Sequence, residues 1–67
     1  MNLDRLKELR ESRGYTQQML STYINMSTST YNDKEKGKTS FKIEELEKIA
    51  KLLKFSKEEM FELLDLD

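Results

Sequence analysis

Residues 16–38 read TQQMLSTYINMSTSTYNDKEKGK, and the way this stretch folds decides how the rest of the chain is arranged. In its first half Met19, Leu20, Tyr23 and Ile24 recur at helical spacing, which predicts a short helix with one apolar stripe. Thr16 is placed to cap that helix, its hydroxyl accepting from an otherwise orphaned amide. Asn25 follows it, and asparagine is the residue after glycine that best tolerates a left-handed turn. The second half begins at Ser27, another N-cap candidate, and Ser27 to Lys36 has Tyr31 as its one large apolar residue. Two readings of it compete. Its residues are mediocre helix formers, so propensity favours a solvated loop. The other reading is a helix whose outer side is polar because it meets a polar partner. Short hydroxyl and amide side chains can reach hydrogen-bonding groups on base edges, and lysines behind them can meet phosphates. Gly37 closes the segment in either case.

Outward from this stretch the pattern is plainer. Upstream, Leu3, Leu6 and Leu9 predict a helix over roughly 2–12, stopped by Gly14, which takes the left-handed conformation without penalty. Downstream, Phe41, Ile43, Leu46, Ile49, Ala50 and Leu53 give the cleanest stripe of the chain and a helix over 43–53. Ser56 with Glu59 three residues later is a capping box, opening a last helix through Met60, Phe61 and Leu64. The expected core is Leu6, Leu9, Leu20, Ile24, Ile43, Leu46, Ile49, Leu53 and Phe61. No repeat, low-complexity tract or linker interrupts the chain, so residues 1–67 are expected to form one domain.

Composition excludes several functions. With no cysteine and no histidine, the chain lacks thiol chemistry, disulfides, the commonest metal ligand and the commonest general base. No glycine-rich phosphate loop or cluster of acids is present, so neither an enzyme, a metal nor a cofactor is expected. Charged residues make up 37% and hydrophobic ones 36%, a balance that suits a small helical domain with a high surface-to-volume ratio. No apolar run approaches the ~18 residues of a membrane span. Met1 leads straight into an amphipathic pattern, so no secretory leader is expected and the expected location is cytoplasmic. A net charge of −1 argues against nucleic acid as a partner until its distribution is considered. Residues 1–42 carry eight basic side chains against five acidic ones, whereas residues 43–67 carry four against eight. The first half is therefore basic and the second acidic, which orients the surface electrostatically.

The spacing of residues settles between loop and helix by likeness. Thr16-Gln17-Gln18, Leu20, Ile24-Asn25-Met26-Ser27, Ser29-Thr30-Tyr31 and Glu35-Lys36-Gly37-Lys38 fall in one register. The register continues through Lys48-Ile49-Ala50-Lys51, Leu53, Ser56 and Glu59-Met60-Phe61. This pattern resembles the Cro/repressor-type helix-turn-helix family, the Xre family, over residues 3–61 without a gap. The resemblance implies an all-α, five-helix lambda-repressor-like DNA-binding domain, with its helix-turn-helix, about 16–36, formed by helices 2 and 3. It implies base contacts from Thr28, Ser29, Asn32 and Asp33, with Asn32 suited to a bidentate bond to adenine. It implies phosphate contacts from Thr16, Gln17 and Gln18 at a helix start, and from Lys36, Lys38 and Lys42 after the recognition helix. Arg10 and Glu35 match positions that pair structurally in relatives. Leu63, Leu64 and Leu66 exceed the family's usual core and are expected at a dimer contact. The implied partners are a double-stranded DNA operator and a second copy of the chain, and the implied role is repression of transcription.

Four residues depart from the family pattern. Asp33 places a negative charge where relatives prefer neutral or basic side chains, so it repels phosphate while being able to accept from a cytosine amino group. Lys34 replaces an inward apolar residue, so either its stem lies along the core or the helix is locally shifted. Asn25 stands in for a turn glycine, and Ser21 for the small apolar residue that lets two helices approach. An alternative function follows from these and from the acidic pI of 5.5: a protein-interaction module that keeps the fold and antagonises another regulatory protein. Lys36, Lys38 and Arg13 favour DNA.

Overall fold

Side-chain caps and left-handed residues divide the chain into five helices: α1 (Leu3–Ser12), α2 (Gln17–Tyr23), α3 (Thr28–Glu35), α4 (Ile43–Leu53) and α5 (Lys57–Leu64). They are seen in a computed structural model that describes residues 1–65, and no strand occurs among the described residues. Thr16 Oγ1 accepts from the Met19 amide, Ser27 Oγ from the Thr30 amide and Ser56 Oγ from the Glu59 amide, each at 3.1 Å. Glu59 returns the favour by accepting from the Ser56 amide at 2.8 Å, which completes the expected capping box. Asn2 caps α1 in the same way.

One stop device is used four times among the described residues. Gly14, Asn25, Gly37 and Lys54 all have φ between 56° and 87°. The amide after each reaches back to a carbonyl five residues earlier: Tyr15 to Arg10, Met26 to Ser21, Lys38 to Asp33, Phe55 to Ala50. These are Schellman closures, which satisfy carbonyls at the helix end. Of these four, Lys54 is the one that sequence gave no reason to expect.

Residues 27–36 form a helix, against the propensity reading. Six indifferent helix formers followed by Lys34 and Glu35 cost roughly 4 kcal/mol relative to alanine. The Ser27 cap is worth ~1 kcal/mol, and burying an aromatic ring contributes ~2–3 kcal/mol. Tyr31 is fully buried, its ring edge-on to Phe41 with centroids 5.7 Å apart. Lys34 and Glu35 complete the inward face. Two of three inward positions are charged, so no apolar stripe could announce the helix.

The core is Leu6, Leu20, Ile24, Tyr31, Ile49, Leu53 and Leu63, with Leu9 also buried. Four expectations are corrected. Ile43 is 69% exposed, Phe61 is 46% exposed and Leu46 is half-buried outside the core cluster, while Leu63, expected at a dimer contact, is fully buried within its own chain. For Phe61 and Leu63 the reason lies in α5, where Met60–Leu63 and Phe61–Leu64 are two rival stripes at equal spacing. The pairing of the Asn2 amide with the Leu63 carbonyl at 2.7 Å and of Arg5 with Glu62 at 3.2 Å accompanies the choice of the first stripe for the inside. Leu64 stays at the surface, and Leu66 lies outside the described residues.

Candidate nucleic-acid interface

Helix α3 is held from behind and open in front. Tyr31, Lys34 and Glu35 fix its inner face, and Thr28, Ser29, Asn32 and Asp33 lie on the remaining arc. Thr28 and Ser29 are exposed, and Asn32 and Asp33 are half-buried. The four residues expected at base edges are thus brought onto one side of one helix. Two of them are also tied to α2. Ser21 Oγ donates to the Gln18 carbonyl at 2.9 Å and lies 3.2 Å from Thr28 Oγ1, so the hydroxyl proton of Thr28 points to Ser21. Thr28 then keeps its methyl group and its free lone pair for a groove.

The side-chain amide of Gln17 is engaged within the chain. Gln17 Nε2 donates to Asn32 Oδ1 at 3.2 Å and to Glu35 Oε1 at 3.1 Å, using both of its protons. Only its backbone amide, unpaired at the helix start, is left for a phosphate. The same bond orients Asn32. Its carbonyl oxygen retains a second lone pair and its amino group is unengaged, the combination that a bidentate bond to adenine needs. Thr16 spends its hydroxyl on the cap, whereas Gln18 is exposed beside it.

Behind α3 sits the Arg10–Glu35 pair, as the likeness implied. Arg10 Nε and Nη2 each donate to a Glu35 carboxylate oxygen at 3.0 Å, and Nη1 donates to the Tyr15 carbonyl at 2.8 Å. Burial pushes the Glu35 carboxyl up, but the Arg10 fork and the Gln17 amide outweigh it and hold it below the ordinary carboxylate value. Lys34 resolves its alternatives in favour of an inward stem: it is 8% exposed, and its Nζ reaches Glu45 Oε1 at 2.7 Å. Glu45 also accepts from the Lys42 amide at 2.8 Å, which ties the start of α4 to the end of α3. Burial raises the Glu45 carboxyl, and Lys34 with that amide more than reverses the effect.

The basic excess of residues 1–42 divides in two. Arg5, Arg10, Arg13 and Lys34 all meet carboxylates within the chain. Arg13 in particular forks onto Glu59 at 2.7 and 2.8 Å and lies 5.6 Å over the Phe55 ring, so the charge counted toward DNA is spent on structure. Among the described residues, Lys7, Lys36, Lys38 and Lys42 make no ion pair, and all four are exposed. Lys7 was not expected in this group. It lines a polar cleft of about 520 Å³ together with Gln17, Asn32 and Lys36. No local pattern marks it, because nothing short of the α1–α3 packing brings residue 7 beside residues 32 and 36.

No helix among the described residues is long and apolar enough to cross a membrane. No curated protein and no solved structure matches the chain significantly. A family model described as helix-turn-helix matches residues 6–60, which takes in all of α2 through α4, most of α1 and half of α5. That family is one of DNA-binding regulatory domains and not of enzymes. The chain belongs to the Cro/Xre-type helix-turn-helix family of DNA-binding regulators.

Proposed function

We propose that residues 1–67 act as one sequence-specific, double-stranded DNA-binding domain that represses transcription in the cytoplasm, binding a two-fold operator as a homodimer. In this reading α3 enters the major groove, and half-sites lie one helical turn apart, ~34 Å. Thr28, Ser29, Asn32 and Asp33 read bases, while Gln18, the backbone amides at the start of α2 and Lys36, Lys38 and Lys42 meet phosphates. Lys7 joins the phosphate set. The observation that carries the reading is the sorting of charges. Arg10 and Lys34 pair with carboxylates behind α3, while Lys7 and Lys36, which make no ion pair, line one cleft with Asn32.

Asp33 on that open face favours a second reading, a module that binds a regulatory protein in place of DNA. Selection from a randomised duplex library, followed by titration at several salt concentrations, separates them. The regulator selects a motif and loses affinity steeply with salt, because each neutralised phosphate releases counterions. Binding that is equal for every duplex would exclude sequence-specific regulation.

A further inference from the structure

We propose that Ser21, a buried residue of α2, sets the base preference of Thr28 and makes it a reader of the C5-methyl group of a pyrimidine. The inference rests on the reading of α3 as the helix that enters the major groove, and names the chemistry that one of its residues selects. Ser21 is 1% exposed, and its backbone carbonyl closes α2 by accepting from the Met26 amide at 2.9 Å, so its position is fixed. Its hydroxyl gives its one proton to the Gln18 carbonyl at 2.9 Å, which leaves Ser21 Oγ an acceptor toward Thr28 Oγ1 at 3.2 Å. Thr28 is therefore the donor across that contact.

This contact removes half of what a threonine can do in a groove. A free hydroxyl both donates and accepts, so it is compatible with any base pair. With its proton held by Ser21, Thr28 cannot donate to guanine O6 or N7, adenine N7 or thymine O4. Its Oγ1 is turned toward α2, and because Thr28 is exposed, the methyl branch is left for the groove. On a major-groove edge the apolar partner for it is a C5-methyl group, carried by thymine or by 5-methylcytosine. The neighbouring hydroxyls show the contrast. Ser27 Oγ donates to Thr30 Oγ1 at 2.8 Å and lies 3.4 Å from Ser29 Oγ, all at the start of α3. Of these side chains, Thr28 is the one bonded to another helix. An alanine at position 21 would return the hydroxyl proton to Thr28, so the serine is what commits it.

Titration of the full chain against the operator selected from randomised duplexes tests this, with each pyrimidine of a half-site exchanged in turn. Uracil replaces thymine, and 5-methylcytosine replaces cytosine. For wild type, the methyl group at one position per half-site should strengthen binding about fourfold, the worth of one buried methyl-sized group. Thr28→Ser, which keeps the hydroxyl, should abolish that ratio, and Thr28→Val should keep it. Ser21→Ala should leave the helical circular dichroism unchanged and bring the ratio below twofold. Ser21→Ala combined with Thr28→Val should restore it, because valine has no hydroxyl to be aimed. If Ser21 only supports the fold, Ser21→Ala weakens methylated and unmethylated duplexes alike and leaves the ratio intact, which overturns the proposal. So does a double variant that fails to recover the ratio. A chain that selects a motif but shows no methyl effect lost in Thr28→Ser overturns this assignment alone. One that selects no motif overturns the regulator reading and this assignment with it.

Discussion

Arg10 and Glu35 are nearly dry, with side chains 6% and 4% exposed, and their fork joins α1 to the end of α3. Removing one partner strands the other. Arg10→Ala should cost about 3–5 kcal/mol in urea unfolding, whereas a combined Arg10→Met and Glu35→Leu change should recover most of that loss. The pH dependence has a definite sign. Because the folded Glu35 carboxyl titrates below its unfolded value near 4.5, its contribution is complete above that pH and disappears as pH falls through the folded value. Glu45 and Glu59 are held low in the same direction, Glu59 chiefly by Arg13, so acid unfolding of the wild type mixes all three. The stability difference between wild type and Glu35→Gln isolates one of them: it should be flat above pH ~5 and shrink below pH ~4.5. At the same scale, Asn32 and Lys38 should part company in binding assays. Asn32→Ala should cost ~1–3 kcal/mol concentrated on one base pair, and Lys38→Ala should weaken all duplexes about equally. A uniform loss from Asn32→Ala would remove it from the base-reading set.

The four Schellman stops locate an avoidable cost at the end of α4. Gly14 and Gly37 take left-handed backbone freely and Asn25 takes it tolerably, but Lys54 holds φ 56° with a β-carbon in the way. Lys54→Gly should therefore stabilise the protein by about 1 kcal/mol, raising the melting temperature by ~4–8 °C. A drop in melting temperature would mean that the Lys54 side chain contributes more than its backbone costs. This helix end also marks what sequence could and could not disclose. Helices α1, α2, α4 and α5 were legible because their stripes and caps are local, and the capping box at Ser56 formed as its spacing implied. Helix α3 was legible only by likeness, since its inward face is built from Tyr31, Lys34 and Glu35 and its partners Arg10 and Glu45 lie on other elements. The choice between Leu63 and Phe61 was hidden for a related reason. Two stripes of equal quality differ only in which one the rest of the molecule covers. The bond from Gln17 to Asn32 joins adjacent helices across a turn whose geometry no pairwise spacing encodes.

Across the whole molecule the net charge of −1 conceals how unevenly the acids and bases are spent. Arginines are held in pairs, and in the proposed reading the exposed lysines 7, 36, 38 and 42 supply the positive potential that a phosphate backbone would meet. Asp33 is the one acidic side chain on the open arc of α3, so it sets the balance between general attraction and selective reading. Asp33→Asn removes that charge with almost no change of shape. It should raise affinity for arbitrary duplexes at low salt, and the gain should fade as salt screens the backbone. On the selected operator the outcome depends on what Asp33 meets. If it accepts from a cytosine amino group, the variant gains less there than on random DNA, and the specificity ratio falls by up to the ~1–3 kcal/mol of one base contact. Equal gains on operator and random DNA would show instead that Asp33 only repels, limiting how long the protein dwells on sequences it does not read.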